Sequence, residues 1–531
     1  MKTWQDVASL YQIYPRSFRD TNGDGIGDLD GITEKLDYLA WLGIDAIWIS
    51  PFFTSPMTDF GYDIADYRAI DPTFGDLEDF RALLEKAHIL DIKVMIDLVP
   101  CHTSDQHPWF QEARSSRDNP KRNYYVWRDG QDGNEPNNWR SLSGGSSWEF
   151  DEPTSQFYLH SFLKTQPDLN WDNPAVRNKM KNVVRFWFDM GVDGMRVDAI
   201  WGISKDPEFD DDSPNPDFHS DPEAYGAFIH DHCKMGPHFQ EYLRELASVC
   251  DEYDDKQMVF EFYPDERLGD IYQQYHKVLT AHPKASAFFM EYRQDEWHAE
   301  HTEQKIEKYL QAAGLAKPFF CVGNHDQPRV ASRLGMERAR ALHFLNLLTP
   351  GISVMYYGDE IGMTNGELTT EDIQDNFSPV HSTIDSRDLE RTPMQWDDTR
   401  FAGFSEVKPW LPVNKNRTFV NVNNEKSSPI SMLNLHRALL RLRQEFPIIK
   451  NGTLNIVSGA DTGNGFILGI KRELGRERAY IFINFADAPQ SFSIPENGRI
   501  LASTHPQYLL LGKDRQITIP GYCGIILIVG S

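Results

Sequence analysis

The chain has 531 residues, 40% of them hydrophobic and 25% charged, as expected for two or three folded domains or one large barrel with additions. Its formal net charge of −26 argues against nucleic acid and anionic membrane surfaces as partners. We see no transmembrane segment or signal peptide. Five dispersed cysteines without a Cys-x-x-Cys favour reduced thiols over a disulfide scaffold or a zinc site, so we expect a cytoplasmic protein.

Strand-like and helix-like segments alternate over the first two-thirds of the chain. Amphipathic helices are predicted behind Asp76 as an N-cap and behind Asn173 and Pro174 as a cap and first turn. Eight repeated βα units predict the α/β class and a closed (β/α)8 TIM barrel, with a doubly wound open sheet as the alternative. The eight predicted strands are 9–14, 44–50, 93–99, 194–198, 258–262, 287–290, 319–323 and 353–357.

Two further regions complete the predicted architecture. The stretch after the third strand is rich in Trp, Asn, Gly and Ser and too long for a structureless loop, so we predict an inserted subdomain at 103–172. Short strands from residue 456 onward predict a C-terminal antiparallel β-sandwich at 456–531, which leaves 1–102 and 173–455 for the barrel. The acidic run 206–217 indicates a mobile, solvated loop.

Two acidic side chains follow two of the predicted strands. Arg196 and Asp198 are two residues apart and therefore lie on the same face of one strand, and Glu261 lies in another. Cleavage of a glycosidic bond needs such a pair at the ends of barrel strands, one carboxylate held ionised by a guanidinium and one kept protonated by apolar neighbours. The alternatives are a structural Asp–Arg pair and a buried glutamate that anchors a loop.

Polar residues also follow two other strands. His325 and Asp326 come after strand 319–323, and His102 comes after strand 93–99. Asp326 is suited to hold sugar hydroxyls and to keep Glu261 protonated by like-charge repulsion, and His325 is suited to donate to a hydroxyl. A polar turn, a helix cap and a structural histidine are the alternatives.

Oxygen-bearing residues alternate in the segment 20–28, as they do in calcium loops. An EF-hand would have Glu at the twelfth position, where this chain has Gly31. We therefore predict a one-loop site for a structural Ca²⁺, with Mg²⁺ as the alternative ion and a plain Asp–Gly turn as the alternative structure. The predicted ligands are Asp20, Asn22, Asp24, the Ile26 carbonyl and Asp28.

Taken together, these segments resemble glycoside hydrolase family 13, the α-amylase family, and within it the oligo-1,6-glucosidase and α-glucosidase group. The Gln-Pro-Asp-Leu-Asn segment at 166–170 is similar to that group rather than to true α-amylases. Cys101 and Phe260 depart from the family pattern, which has asparagine and glycine there. The matching segments, in the family's order, are 11–18, 59–63, 97–105, 166–170, 194–198, 261, 324–326, 391–396 and 408–410.

The resemblance implies a retaining, exo-acting α-glucosidase that forms a covalent β-glucosyl-enzyme and passes glucose to water or to another hydroxyl. It implies Asp198 as nucleophile, Glu261 as acid/base and Asp326 as transition-state stabiliser. It also implies that Asp59 and Arg391 close the pocket at the non-reducing end. The full set of implied substrate contacts is Asp59, Tyr62, His102, Phe162, Arg196, Ala199, His325 and Arg391.

The residue after the nucleophile carries the implied linkage preference. In the group that this chain resembles, valine there accompanies α-1,6 preference and alanine or threonine accompanies α-1,4 preference. Ala199 therefore predicts short α-1,4 substrates such as maltose. An oligo-1,6-glucosidase and a sucrose-isomerising or sucrose-hydrolysing enzyme are the alternatives, ahead of a phosphosugar hydrolase or a non-enzymatic binding homologue. We expect a small glucoside as partner and a monomer or weak homo-oligomer.

Overall fold

A computed structural model of the chain describes residues 2–130, 133–221, 224–293, 296–377, 386–457, 459–505, 510–511 and 515–529. Eight parallel strands pair in chain order, and the eighth pairs with the first to close a barrel. The predicted fold class is therefore confirmed, and each strand lies close to its predicted bounds. The barrel strands are β1 (Ser9–Ile13), β2 (Ala46–Ile49), β3 (Lys93–Leu98), β4 (Gly194–Val197), β5 (Gln257–Phe260), β6 (Ala285–Phe289), β7 (Phe319–Cys321) and β8 (Ile352–Tyr356).

The barrel interior is apolar along most of its length and becomes charged near one end. Apolar side chains from successive strands pack together inside it, among them Leu10, Trp48 and Val259. Towards the carboxyl ends of the strands, Asp97 of β3 lies in register with Arg196 of β4, and both are buried. The opposite strand faces pack against the surrounding helices in the main core.

Local sequence signals begin and end the helices that surround the barrel. The Asp28 carboxylate accepts the Gly31 N–H at the start of the first helix, and Gly43 ends that helix with a φ of 101°. Asp76 and Asp79 form a capping box at the start of the second helix. The helices span Leu29–Leu42, Leu77–Ile89, Pro108–Ala113, Pro174–Met190, Phe239–Ala247, Ile271–Leu279, Ala299–Ala313, Val330–Leu334, Met336–Leu348, Val422–Ser427, Met432–Glu445, Pro447–Asn451 and Gly459–Thr462.

Three sets of strands lie outside the barrel. The inserted segment after β3 contains a three-stranded antiparallel sheet of Trp127–Arg128, Gln156–Leu159 and Trp148–Asp151. Phe53–Thr54 pairs with Asp66–Ile70. The C-terminal region forms a five-stranded and a three-stranded antiparallel sheet that share a hydrophobic cluster. Its strands are β9 (Thr453–Val457), β10 (Ile467–Leu474), β11 (Glu477–Asn484), β12 (Gln490–Ser493), β13 (Arg499–Ser503), β14 (Leu510–Leu511), β15 (Gln516–Ile519) and β16 (Gly524–Val529).

The long segment between β4 and the helix Phe239–Ala247 is held against the inserted segment. Asn138 Nδ2 donates to the Asp212 carbonyl at 2.9 Å, and Trp139 Nε1 donates to the Asp210 carbonyl at 2.9 Å. The acidic run that we expected to be a solvated loop thus makes backbone contacts with another part of the molecule. Across the described ranges, no helix has the length and apolar character needed to span a membrane.

Candidate active site

A cavity of about 460 Å³ opens at the carboxyl ends of the barrel strands, a volume typical of small-molecule sites. All three predicted catalytic acids line it: Asp198 after β4, Glu261 after β5 and Asp326 after β7. The remaining lining residues are Asp59, Tyr62, His102, Leu142, Phe162, Ala199, Trp201, Tyr225, Lys234, Tyr263, Gln327, Phe377 and Arg387. We call the aromatic side chains Trp201, Tyr225, Tyr263 and Phe377, together with Lys234, which packs on two of them, the aromatic wall.

Arg196 lies beneath this cavity and joins three carboxylates. Its Nη1 donates to Asp198 Oδ1 at 2.7 Å and to Asp97 Oδ1 at 3.2 Å, and its Nη2 lies 2.5 Å from Glu261 Oε1. The guanidinium is completely buried over the Trp48 ring. Because a buried charge is tolerated only when it is paired, the cation and the three acids stabilise one another.

Asp198 and Asp97, which both contact Arg196, ionise less readily than free carboxyls do. Burial raises the pKa of Asp198 well above its usual range; Arg196 opposes this shift, and the nearby Glu261 and Asp97 reinforce it. Burial also raises the pKa of Asp97 to about 7 against the charge of Arg196. Asp198 and Asp97 share Arg196 and are therefore coupled, so a proton held by this acid cluster cannot be assigned to one carboxyl alone.

Asp326 has the opposite electrostatic environment. Its Oδ1 accepts from Arg391 Nη2 at 2.8 Å, and Arg387 Nη1 lies 3.4 Å away. Although burial opposes ionisation, His325, Arg391 and Arg387 together hold the pKa of Asp326 below its usual range. His325 Nε2 lies 3.3 Å from Asp326 Oδ2, while Gln12 Nε2 lies 2.7 Å from the other ring nitrogen.

Asp59 is fixed at the polar end of the cavity by two partners. Arg387 Nη2 donates to its Oδ1 at 2.7 Å, and Gln166 Nε2 donates to its Oδ2 at 2.9 Å. The resemblance implied that Arg391 closes the pocket together with Asp59. The structure instead places Arg391 against Asp326 and the Tyr14 ring, outside the cavity lining, and Arg387 forms the pair.

The other expected substrate contacts divide into cavity-lining and supporting residues. Tyr62, His102 and Phe162 line the cavity, and the Phe162 and His102 rings are 5.0 Å apart. Burial lowers the pKa of His102, so its imidazole is neutral. Arg196 and His325 lie behind the lining, where His325 stacks on the Tyr62 ring at 5.3 Å.

Ala199 has an unusual backbone conformation. Its φ is 42° and its ψ is 46°, in the left-handed region that non-glycine residues rarely adopt. This conformation directs the Ala199 N–H to Glu261 Oε2 at 3.0 Å. The two oxygens of Glu261 are thus held separately, one near Arg196 and one by the backbone that follows Asp198.

Several lining residues were not singled out from the sequence. Trp201, Tyr263 and Gln327 follow a predicted site residue by one or two positions, so their place after a barrel strand was an available signal. Tyr225 and Lys234 come from the long segment after β4, and no local pattern marked them. Leu142 and Phe377 likewise carry no local signal.

The predicted calcium loop supplies oxygen donors of the right kind. Asp20 accepts from the N–H groups of Gly23 and Gly25, and Asp24 Oδ1 accepts from the Ile26 N–H at 2.7 Å. Asp28 caps the helix Leu29–Leu42. The loop oxygens therefore bond to their own backbone, and the aspartates do not form a cluster with ligand spacing among the described acidic, histidine and cysteine residues. Calcium binding stays a prediction.

Comparison with known proteins places this geometry in a family. The α-amylase catalytic domain model matches residues 12–452. An oligo-1,6-glucosidase of Parageobacillus thermoglucosidasius is 38% identical over 93% of this chain and 93% of its own. A probable α-glucosidase of Rhizobium meliloti (strain 1021) is 39% identical over 93% and 91%.

Solved structures agree over the whole fold. The crystal structure of an α-glucosyl transfer enzyme has a TM-score of 0.90 at 35% identity, covering 99% of this chain and 100% of that one. The trehalulose synthase of Pseudomonas mesoacidophila MX-45 has a TM-score of 0.87 at 36% identity, covering 99% of both chains. The chain belongs to the α-amylase family, glycoside hydrolase family 13, and is a glycoside hydrolase.

We expect Arg387→Leu to weaken glucose binding by at least about 10-fold, because Asp59 would lose a charge-assisted hydrogen bond at the closed end of the cavity. Isothermal titration with glucose measures this effect. The matched control is Arg400→Leu, which removes an exposed arginine. Equal affinities of the wild type and Arg387→Leu would show that the Asp59–Arg387 pair does not contact the sugar.

Proposed function

We propose that the enzyme is a retaining, exo-acting α-glucosidase that releases glucose from the non-reducing end of short α-1,4-linked glucosides such as maltose. Asp198 attacks the anomeric carbon and forms a β-glucosyl-enzyme, Glu261 protonates the leaving oxygen and then activates water, and Asp326 stabilises the transition state. A second sugar hydroxyl in place of water gives transglucosylation.

The observation that carries this proposal is the shared contact of Asp198 and Glu261 with one guanidinium. Their oxygens lie at 2.7 Å and 2.5 Å from the two terminal nitrogens of Arg196. This arrangement favours the separation of about 5–5.5 Å used by retaining enzymes over the about 6.5–9.5 Å that leaves room for a water in inverting ones.

The reaction requires the proton of the acid cluster to reside on Glu261. In the free enzyme Glu261 accepts from the Ala199 N–H and faces Arg196, while burial favours protonation of Asp198. Positive charge that develops on the sugar ring near Asp198 favours its ionised form. We therefore expect sugar binding to move the proton towards Glu261 and to free this carboxyl for the leaving oxygen.

Two parts of the cavity lining support exo action on short substrates. The Asp59–Arg387 pair forms a polar part of the lining, backed by Asp375, which lies 2.7 Å from Arg387 Nη2, and Arg387 also packs 4.4 Å from the Phe377 ring centroid. Such a polar lining suits the hydroxyls of a terminal glucose. The aromatic wall supplies apolar faces suited to the leaving group.

Two alternatives keep specific support. Relatives named oligo-1,6-glucosidase favour α-1,6 linkages, and the structural match to a trehalulose synthase favours isomerisation of sucrose. Ala199 supports α-1,4 cleavage because a β-branched side chain in its place would narrow the cavity beside the cut bond. Products from maltose, isomaltose, sucrose, trehalose and maltotriose, followed over time, separate these activities.

We expect the two catalytic acids to be distinguished by azide rescue. Asp198→Gly should lower kcat/KM for maltose by about 10⁴-fold or more, and Glu261→Ala by about 10²–10⁴-fold. With an activated α-glucosyl donor, azide replaces the missing nucleophile in Asp198→Gly and yields β-glucosyl azide. In Glu261→Ala, azide attacks the glucosyl-enzyme and yields α-glucosyl azide.

The matched control for the acid/base variant Glu261→Ala is Glu266→Gln, since Glu266 is exposed and lies outside the cavity lining. It should keep normal kinetics. Near-normal activity of Glu261→Ala together with a large loss in Glu266→Gln would transfer the acid/base role to Glu266.

We expect the wild type to cleave maltose faster than isomaltose and Ala199→Val to shift the kcat/KM ratio towards isomaltose. Valine is strained at the left-handed φ of 42°, so its absolute rates will also fall, and the ratio is the informative quantity. Ala199→Gly, which tolerates this φ, should keep the preference for maltose. Faster isomaltose cleavage that Ala199→Val leaves unchanged would contradict the linkage assignment.

We propose that the loop 20–28 binds a structural Ca²⁺ through Asp20, Asn22, Asp24, the Ile26 carbonyl and Asp28. Ca²⁺ added to chelator-treated protein should raise the midpoint of thermal unfolding, since an ion that binds only the folded state stabilises it. Asp24→Asn should lose most of this shift, and Asp118→Asn, at an exposed acid elsewhere, should keep it. A larger shift with Mg²⁺ would identify that ion instead, and no shift with either would refute the site.

A further inference from the structure

Outside the catalytic cavity, the structure encloses a cluster of three side chains with metal-binding groups. Asp212, His230 and Cys233 belong to the segment between β4 and the helix Phe239–Ala247, and only 1%, 0% and 9% of their surfaces are exposed. The dispersed cysteines disfavoured a zinc site in the sequence. Folding nevertheless brings one thiol beside an imidazole and a carboxylate.

The spacing of these groups fits a tetrahedral ion. His230 Nδ1 lies 3.3 Å from Asp212 Oδ2 and 3.5 Å from Cys233 Sγ, and all three ligand atoms lie within 4.8 Å of one another. Zinc bonds of about 2.0 Å to nitrogen and oxygen and about 2.3 Å to sulfur give tetrahedral edges of about 3.3 Å and 3.5 Å. The three atoms therefore occupy positions suited to three corners around one zinc ion.

The surroundings orient the ligand atoms towards each other. His230 Nε2 lies 2.8 Å from the Tyr225 carbonyl, a contact that fixes the N–H there and leaves the Nδ1 lone pair facing the cluster. Asp212 Oδ1 accepts from the backbone N–H groups of His232 and Cys233. Asp212 Oδ2 is buried and makes no standard hydrogen bond among the described residues; it faces His230 Nδ1 and the Cys233 thiol. A buried carboxylate oxygen of this kind calls for a cation.

We propose that Asp212 Oδ2, His230 Nδ1 and Cys233 Sγ bind a divalent transition-metal ion, with Zn²⁺ as the fitting ion and a water as the fourth ligand. On binding, the Cys233 thiol gives its proton to solvent and coordinates as a thiolate.

The site would support the aromatic wall of the catalytic cavity. The His230 and Tyr225 rings stack with centroids 3.8 Å apart, and Lys234 directly follows Cys233. Lys234 Nζ in turn lies 5.0 Å from the Tyr225 ring centroid and 4.9 Å from that of Trp201. An ion bound at the cluster would thus fix two lining residues, Tyr225 and Lys234. Both come from a segment whose described residues form only short 3-10 turns and no α-helix or strand.

The test uses the full chain after removal of metals with a chelator. We expect one Zn²⁺ per chain by titration, and Co²⁺ in its place should give a near-ultraviolet thiolate charge-transfer band and the strong visible bands of a tetrahedral site. Cys233→Ser, His230→Gln and Asp212→Asn should each weaken Zn²⁺ binding by at least about 10–100-fold. Cys233→Ser should also abolish the charge-transfer band.

Two control variants locate the binding. Cys250→Ser removes another buried thiol, and His232→Gln removes the histidine of a neighbouring, more exposed cluster with Asp206 and Asp210. Both should bind Zn²⁺ like the wild type. Circular dichroism and the thermal midpoint in chelator show whether each variant folds; the Co²⁺ spectrum of the wild type tests the site even where a variant fails.

Three results would overturn the proposal. The first is wild-type protein that binds Co²⁺ without a thiolate band or binds no metal. The second is equal Zn²⁺ affinity of the wild type and folded Cys233→Ser. The third is loss of binding in His232→Gln with retention in His230→Gln, which would assign the ion to the more exposed cluster.

Discussion

The buried guanidinium of Arg196 is the contact on which the catalytic end of the barrel depends. Three carboxylates that would repel one another in a low-dielectric setting are held around it, and they come from β3, from the end of β4 and from the end of β5. Asp97 and Arg196 are paired in the barrel register, and Val259, two residues before Glu261, pairs with Arg196 on the other side. The pairing of β3, β4 and β5 in this register therefore brings the acid cluster together.

A second organising feature is that different buried arginines pair with different carboxylates of the cavity. Arg196 serves Asp198 and Glu261, while Arg391 and Arg387 surround Asp326. The pKa of Asp198 is raised and that of Asp326 is lowered, because Asp198 shares one cation with other acids whereas two arginines and His325 surround Asp326. Two aspartates in one cavity thereby acquire opposite tendencies to ionise.

Local patterns predicted the barrel and its catalytic end well, because buried strands, helix caps and the polar residues that follow strands are encoded by neighbours in sequence. Asp198, Glu261 and Asp326 all follow barrel strands and meet at one cavity. The pairing of Arg387 with Asp59 was beyond such reasoning, since it depends on how a segment without regular strands folds over the barrel. Asp212 and Tyr225 show the same limit. The acidity of the run 206–217 indicated a solvated loop, yet packing against Asn138 and Trp139 buries Asp212. Tyr225, from the same long segment, had no local signal in the sequence.

Ala199 determines both a backbone contact and part of the cavity surface. Its left-handed backbone turns an N–H towards Glu261, while its side chain lines the cavity. A replacement that changes the space at this point of the cavity must therefore also keep the orientation of this peptide, or Glu261 loses its backbone partner. The shape of the cavity and the position of this carboxyl are thus coupled through a single residue.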